Sequence, residues 1–278
     1  MQILIGADPE VFVKNAAGEF RSAWGMIPGT KKAPFKVPKG AVQVDGNALE
    51  FNIDPAATKA EFVGNIREVY QEMGRMVPGY NLAIEPVAMF DKAYFDALPE
   101  GARELGCDPD FNAWTRQVNE RPFTNEPFRT AAGHIHIGWL PPEAYADPMD
   151  SNHFDDCCEV AKQMDYFLGM WSLTWDKDSE RRRLYGSAGC FRPKPYGCEY
   201  RSLSNAWLKT EELQGWVYDA AIAGMKALEK GQLMSVEQGQ VAQVAIDEGH
   251  YGWNREWSDH THLTMPPGGY WGKEKKVA

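Results

Sequence analysis

Apolar and polar residues alternate along several short stretches of this chain and recur at three- and four-residue spacing along others. Alternation marks a half-buried strand, and the longer spacing marks an amphipathic helix. Strands are predicted at residues 2–5, at 10–13 after Gly6, and at 48–53, 81–89, 132–140 and 197–203. Pro86 makes 81–89 an edge strand or a bulged one, and Pro141-Pro142 ends 132–140. A helix begins after Thr58, which forms a capping-box pattern with Glu61. Its apolar stripe is Phe62, Ile66, Val69, Met73 and Met76, and Pro78-Gly79 stops it. A long helix is expected over residues 152–175, with Phe154, Val160, Met164, Phe167, Leu168 and Trp171 turned inward. Thr210 caps a helix that ends before Gly231, and Ser235 with Gln238 starts another. Residues 25–40, rich in Gly, Pro and Lys, read as a long loop, 99–130 mostly as loop, and 176–183 (DKDSERRR) as a solvated polar segment. Beyond Pro266 the chain reads as a frayed tail.

Strands and helices are interspersed without a βαβ rhythm. The expected class is α+β, with an antiparallel or mixed sheet and helices packed on one face. Residues 1–278 carry no repeat and read as a single domain, with 266–278 as its tail.

Composition narrows the classes. At 44% hydrophobic residues the chain has material for a real core, so general disorder is excluded. No apolar run is long enough to span a bilayer. The N-terminus, MQILIGADPEVF, lacks the basic and apolar regions of a secretory signal. A net charge of −10 argues against broad binding to nucleic acid and leaves room for a local basic pocket. The cysteines, at 107, 157, 158, 190 and 198, are odd in number and contain no CxxC, so a reducing cytoplasm is the default expectation. A zinc site using Cys190 and Cys198 is the minor alternative.

Four of the predicted strands share a peculiarity. Asp8 and Glu10 stand two apart in GADPEVF, as do Glu50 and Asn52 in NALEFNID, His134 and His136 in GHIHIGW, and Glu199 and Arg201 in GCEYRSL. In a regular strand each pair shares a face. Solvent faces ordinarily mix Lys, Thr, Ser and Glu, whereas these positions carry acids, imidazoles and one arginine, and no lysine. Converged on one sheet face, the carboxylates repel unless they take up protons or hold a cation. Oxygen-rich ligation with one imidazole suits Mg²⁺ or Mn²⁺. Metal with an adjacent arginine is a phosphoryl-transfer layout, although no GxxxxGK[ST] or GxGxxG loop is present.

At these residues the chain resembles the glutamine synthetase / glutamate–cysteine ligase superfamily, and within it the phage and bacterial "COOH–NH2 ligase type 2" amidoligases. The resemblance runs from GADPEVF through VDGNALEFNIDPA, GCDPDFNAW and GHIHIGW to CEYRSLSNAWL. It implies a glutamine synthetase-like catalytic domain and an ATP-dependent carboxylate–amine ligase working through an acyl phosphate. It implies metal binding by Asp8, Glu10, Glu50, His134 and Glu199, with two or more Mg²⁺ or Mn²⁺ ions. One ion would be held by Asp8, His134 and Glu199, and another by Glu10 and Glu50 with Asp45 nearby. Glu50, Glu199 and Arg201 would be catalytic, with Arg201 on the phosphoryl group. Asp8 departs from the superfamily's first Glu, and Pro9 interrupts the strand beside it.

Other basic residues are candidates by location. Arg192 and Lys194 could reach nucleotide phosphate, and His136 could touch phosphate or substrate or orient a ligand. Arg116, Arg121 and Arg129 precede the HxH strand and are expected to clamp a substrate carboxylate. Lys31 and Lys32 could form a lid, Trp24 or Trp114 could stack on adenine, and Arg181 to Arg183 read as a solvated helix end. The expected partners are small-molecule or peptide carboxylates and amines. A metal-dependent hydrolase and a binding protein with a decayed ligase site are the alternative functions.

Overall fold

A computed structural model describes residues 2–103, 110–120, 126–178, 180–249 and 259–269, with only the backbone of Glu180 and Arg183. In chain order the elements are β1 (Leu4–Ala7), β2 (Glu10–Lys14), β3 (Phe20–Arg21), β4 (Phe35–Val37), β5 (Gly40–Asp45), β6 (Ala48–Ile53), α1 (Lys59–Met76), β7 (Asn81–Ala83), β8 (Val87–Met89), α2 (Lys92–Asp96), α3 (Glu100–Arg103), β9 (Phe111–Asn112), β10 (Gln117–Val118), β11 (Phe128–Thr130), β12 (Ile135–Gly138), α4 (Ser151–Met164), α5 (Met170–Ser172), α6 (Glu180–Leu184), β13 (Cys190–Lys194), β14 (Gly197–Tyr200), α7 (Glu211–Glu229) and α8 (Val236–Glu248). The class is α+β, as expected.

One sheet has the order β1-β12-β14-β13-β9-β10, and a second runs β3-β2-β6-β5-β4 with β7 also on β2. Every described ladder between named strands is antiparallel. The two sheets meet where β1 passes into β2. There the amide of Glu10 donates to the Ala132 carbonyl at 2.9 Å, while the Pro9 carbonyl accepts from Phe51 at 3.1 Å. Proline has no amide to give to either sheet, so at Pro9 the strand changes partners, and Asp8 and Glu10 flank the crossing.

Helix α1 begins with the anticipated box: Glu61 N donates to Thr58 Oγ1 at 3.2 Å, and Thr58 N to Glu61 Oε2 at 3.1 Å. Its buried Phe62, Ile66, Val69 and Met73 form the stripe that meets β5 and β6. Helix α4 packs on β13 and β14. Tyr200, from the helix-facing side of β14, reaches Asp165 with its hydroxyl at 2.7 Å. The opposite face of β14 carries Glu199.

Several expectations are corrected. The helix over 152–175 is interrupted by a π turn at Asp165–Gly169. The Tyr200 hydroxyl enters there, and a Cβ on Gly169 would lie 2.4 Å from it. Residues 81–89 form two strands, because β7 pairs with β2 and β8 with β11. As expected, 25–40 has little structure of its own, with β4 in it, and 99–130 carries only the short elements α3, β9, β10 and β11 among its described residues. Arg181 and Arg182 are not a solvated helix end, since both are buried, with Arg182 paired to buried Asp176 at 3.1 Å. Cys190 and Cys198 do not converge on a metal site. Cys190 meets Ser187 and Asn119, whereas Cys198 meets the carbonyl of Cys157. Cys107, Arg121 and residues 270–278 of the expected tail lie outside the described residues. Among those described, no helix is long and apolar enough to cross a membrane.

Candidate active site

Cross-strand register aligns the chemistry-bearing residues in two rows. In the first sheet Gly6, His136, Glu199 and Arg192 are successive neighbours across β1, β12, β14 and β13. Gly6 contributes no side chain to this row. In the second sheet Glu10, Glu50 and Gln43 are neighbours across β2, β6 and β5. Isoleucines 135 and 137 and Tyr200 take the other face and are buried, so the alternation along β12 and β14 is as the sequence predicts.

Two groups of donor atoms result. In one, oxygens of Asp8 and Glu199 and a ring nitrogen of His136 lie within 4.8 Å of one another. In the other, Glu10, Asp45 and Glu50 do the same. His134, expected to ligate with Asp8 and Glu199, lies beside the first group. Its Nδ1 is 3.2 Å from Asp8 Oδ1, 3.4 Å from Glu199 Oε1 and 3.3 Å from Arg201 Nη1. The imidazole that completes the convergent set is His136, whose Nε2 is 3.0 Å from Asp8 Oδ1. Its Nδ1 meets the Tyr196 hydroxyl at 2.5 Å, which orients the ring.

Glu199 is fully buried and surrounded by cations. Arg201 bonds it directly, Lys194 Nζ is 2.6 Å away and Arg192 Nη1 is 3.4 Å away. Burial alone would raise its pKa, but Arg201, Lys194 and the two imidazoles hold the carboxyl well below the usual range. Asp8 is likewise held low by His136 and His134 against the opposing effect of burial. His134 is lowered to about 4, first by burial and then by Arg201, and is neutral at physiological pH. The second group behaves oppositely. Burial and then Asp45 push Glu10 up to about 7. Glu50 is raised well above its ordinary value by burial and by Asp8, Glu10 and Asp45. Lys31 stands 3.0 Å from Asp45.

These residues fit divalent cations. Asp8 Oδ1 and His136 Nε2 are buried and accept or donate no hydrogen bond although only 3.0 Å apart, as expected of donors aimed at a common centre. An O,N,O set and an all-carboxylate set are the donors that Mn²⁺ and Mg²⁺ take.

The acids divide two cavities. A large one, about 670 Å³, is lined by Asp8, Glu50, His136, Trp139, Tyr145 and Tyr196 among others. A small one, about 60 Å³, is lined by Glu10, Asp45, His134, Arg129, Arg181 and Arg201. Of the expected substrate clamps, Arg129 reaches the small cavity, although its Nη atoms are given to the carbonyls of Glu126, Phe128 and Arg103. Arg116 does not reach it, being exposed and paired with Asp155. Lys32 is exposed. Trp114 donates its indole N–H to Asp165 at 2.7 Å, and neither it nor Trp24 lines these cavities.

Sequence reasoning missed Asp110, which accepts from Arg201 Nε at 2.9 Å, and Tyr196, Gln43 and Arg181. Asp110 lies in GCDPDFNAW. Gln43, which donates to Glu50 at 2.7 Å, is recoverable only from strand register. Nothing in the sequence marks Tyr196.

No protein-family model and no curated protein matches the chain. Solved structures do. The crystal structure of a bifunctional glutathione synthetase from Pasteurella multocida is similar at a TM-score of 0.50 and 12% identity, over 89% of this chain and 40% of that one. The crystal structure of a novel glutamine synthase homolog is similar at a TM-score of 0.45 and 13% identity, over 95% of this chain and 66% of that one. The likeness to the first is one of fold, and it agrees with the α+β architecture. The chain spans about 40% of that neighbour's length.

Proposed function

We propose that this protein is an ATP-dependent carboxylate–amine ligase of the amidoligase type, a single catalytic domain acting in the cytoplasm. The observation that carries the reading is the pair of donor groups, Asp8/His136/Glu199 and Glu10/Asp45/Glu50, set between two cavities with Arg201 beside them. The resemblance to amidoligases in the order and type of these residues supports it.

The large cavity has the size and the apolar, aromatic sides of a nucleotide site. A triphosphate in it would meet His136, whereas Arg192 and Lys194 line neither cavity and hold Glu199. The small cavity accepts the acid, whose carboxylate oxygen attacks the γ-phosphorus while the bond to the ADP oxygen breaks. The resulting acyl phosphate is open to an amine, which displaces phosphate and leaves an amide. Bound Mg²⁺ or Mn²⁺ supplies charge neutralisation along the triphosphate. Arg201, fixed by Asp110 and Glu199, neutralises charge developing on the phosphoryl oxygens.

The test is purified protein with ATP, Mg²⁺ and a panel of small and peptide carboxylates paired with amines. ADP and phosphate released only with a suitable acid, together with an amide mass, support the ligase. A metal-dependent hydrolase is favoured by one feature, the N,O donor set of Asp8, His136 and Glu199. Cleavage of a phosphoester or amide without ATP would establish that reading instead.

A further inference from the structure

Arg181 is among the largest fully buried side chains of the protein, at 1% exposure. Its guanidinium donates only to main-chain carbonyls, Nη1 to Ser202 O at 2.9 Å and Nη2 to Arg201 O at 3.3 Å. Its Nε is buried and has no partner. Among the described residues no carboxylate forms an ion pair with it within 4.0 Å. The nearby acids are otherwise engaged: Asp176 pairs with Arg182, and Glu10 accepts from the Ala132 amide at 2.9 Å. A buried guanidinium, which keeps its charge, is costly without an anion.

The surrounding chain preserves the space this cation occupies. A Cβ on Gly186 would lie 2.1 Å from Arg181 Nη1, and Gly186 has a φ of +79° that also calls for glycine. Arg181 lines the small cavity, and so does Arg129, whose Nε is likewise buried without a partner. Arg201 is the third guanidinium on the same wall. The cavity, at about 60 Å³ against about 670 Å³ for the large one, suits a small oxyanion group and not a nucleotide.

We propose that the small cavity is an oxyanion site anchored by Arg181, with the Nε–H of Arg129 as a second donor, binding a single carboxylate or phosphate group. The site stands on the geometry above. Which oxyanion fills it during turnover rests on the ligase reading: the carboxylate to be activated, or the phosphate that is released.

The test uses the full chain without nucleotide, titrated with sodium acetate and, separately, inorganic phosphate, with sodium chloride as the ionic-strength control. Binding is read by calorimetry and by the Arg Nε–H resonances of ¹⁵N-labelled protein. Arg181→Lys and Arg181→Gln are compared with wild type. The expected result is millimolar or tighter binding of at least one anion, a shift of the Arg181 Nε–H signal, and at least tenfold weaker binding in both variants. If the Gln variant does not fold, Arg181→Lys and the wild-type resonance carry the test. Acetate binding alone points to the substrate acid, and phosphate binding alone to the released product; either supports the site. No binding of either anion to wild type, or equal binding by the variants, overturns it. Binding of Mn²⁺ with a non-hydrolysable ATP analogue is measured on the same samples. Its persistence without anion binding sinks this inference and leaves the ligase reading standing, and the converse result does the reverse.

Discussion

Glu10 and Glu50 stand directly opposite one another on neighbouring antiparallel strands, both within the group that also contains Asp45. Like charges in opposed positions destabilise a sheet, and burial adds to the penalty, as the raised pKa values of both groups record. The fold therefore carries a local electrostatic cost that a bound cation would relieve. Removing one charge should stabilise the metal-free protein. Glu50→Gln is expected to raise the unfolding free energy by about 1 kcal/mol in urea titrations with chelator present, while weakening Mn²⁺ binding at least tenfold. Lower stability in chelator would contradict the account.

Metal binding should be linked to protons. Glu10, raised to about 7, is largely protonated below that pH in the metal-free state, and a ligand must give up its proton to bind. Mn²⁺ affinity should rise with pH from about 5.5 and level off above about 7.5. Calorimetry in buffers of different ionisation enthalpy should detect proton release near pH 6.5 and little near pH 8.5. Affinity independent of pH across this window would remove Glu10 as a ligand.

On the far side of β14, Asp165 accepts from Tyr200 and Trp114 at 2.7 Å each, and burial raises its pKa to about 7. In the unfolded chain it ionises from about 4. Between these values the folded protein holds a proton that the unfolded chain has lost, so stability falls as pH rises from about 4 to about 7 and then levels. The contribution is on the order of 4 kcal/mol at most. Subtracting the urea stability profile of Asp165→Asn from that of wild type should isolate this fall. Identical profiles would mean that Asp165 ionises as readily in the fold as in the open chain.

Arg201 makes a geometric demand as well as an electrostatic one. Its Nε is held by Asp110 at 2.9 Å, and its Nη1 bonds Glu199. Lysine retains the charge and loses the fork. Once a substrate pair is in hand, Arg201→Lys should lower kcat by about a hundredfold or more, with a smaller effect on the KM for ATP. A change confined to KM would reassign Arg201 to ground-state binding.

Much of the site was legible because strand alternation has a period of two. His134 and His136, and Glu199 opposite Tyr200, fall on the faces that period predicts. Spacing alone puts Asp8 and Glu10 on one face, but the chain changes sheets at Pro9 and delivers them to different donor groups, the division that the resemblance implied. Arg116 precedes the HxH strand in sequence, yet it is exposed, pairs with Asp155 and lines neither cavity, which no local pattern reveals. Arg181 looked solvated inside a run of charges. Its burial depends on Gly186 and on the carbonyls of Arg201 and Ser202, contacts made by later segments of the chain. The π turn at Asp165–Gly169 was equally hidden, since it answers to a tyrosine on a distant strand.

The central claim is that the two donor groups hold cations that bring a nucleoside triphosphate onto this sheet face. The most direct measurement counts Mn²⁺ bound per chain by electron paramagnetic resonance, with a non-hydrolysable ATP analogue present. The account predicts at least two ions with mutual dipolar broadening, reduced to one by Glu50→Gln. A single ion in the wild type, no ion at all, or a count unchanged by that substitution would contradict it.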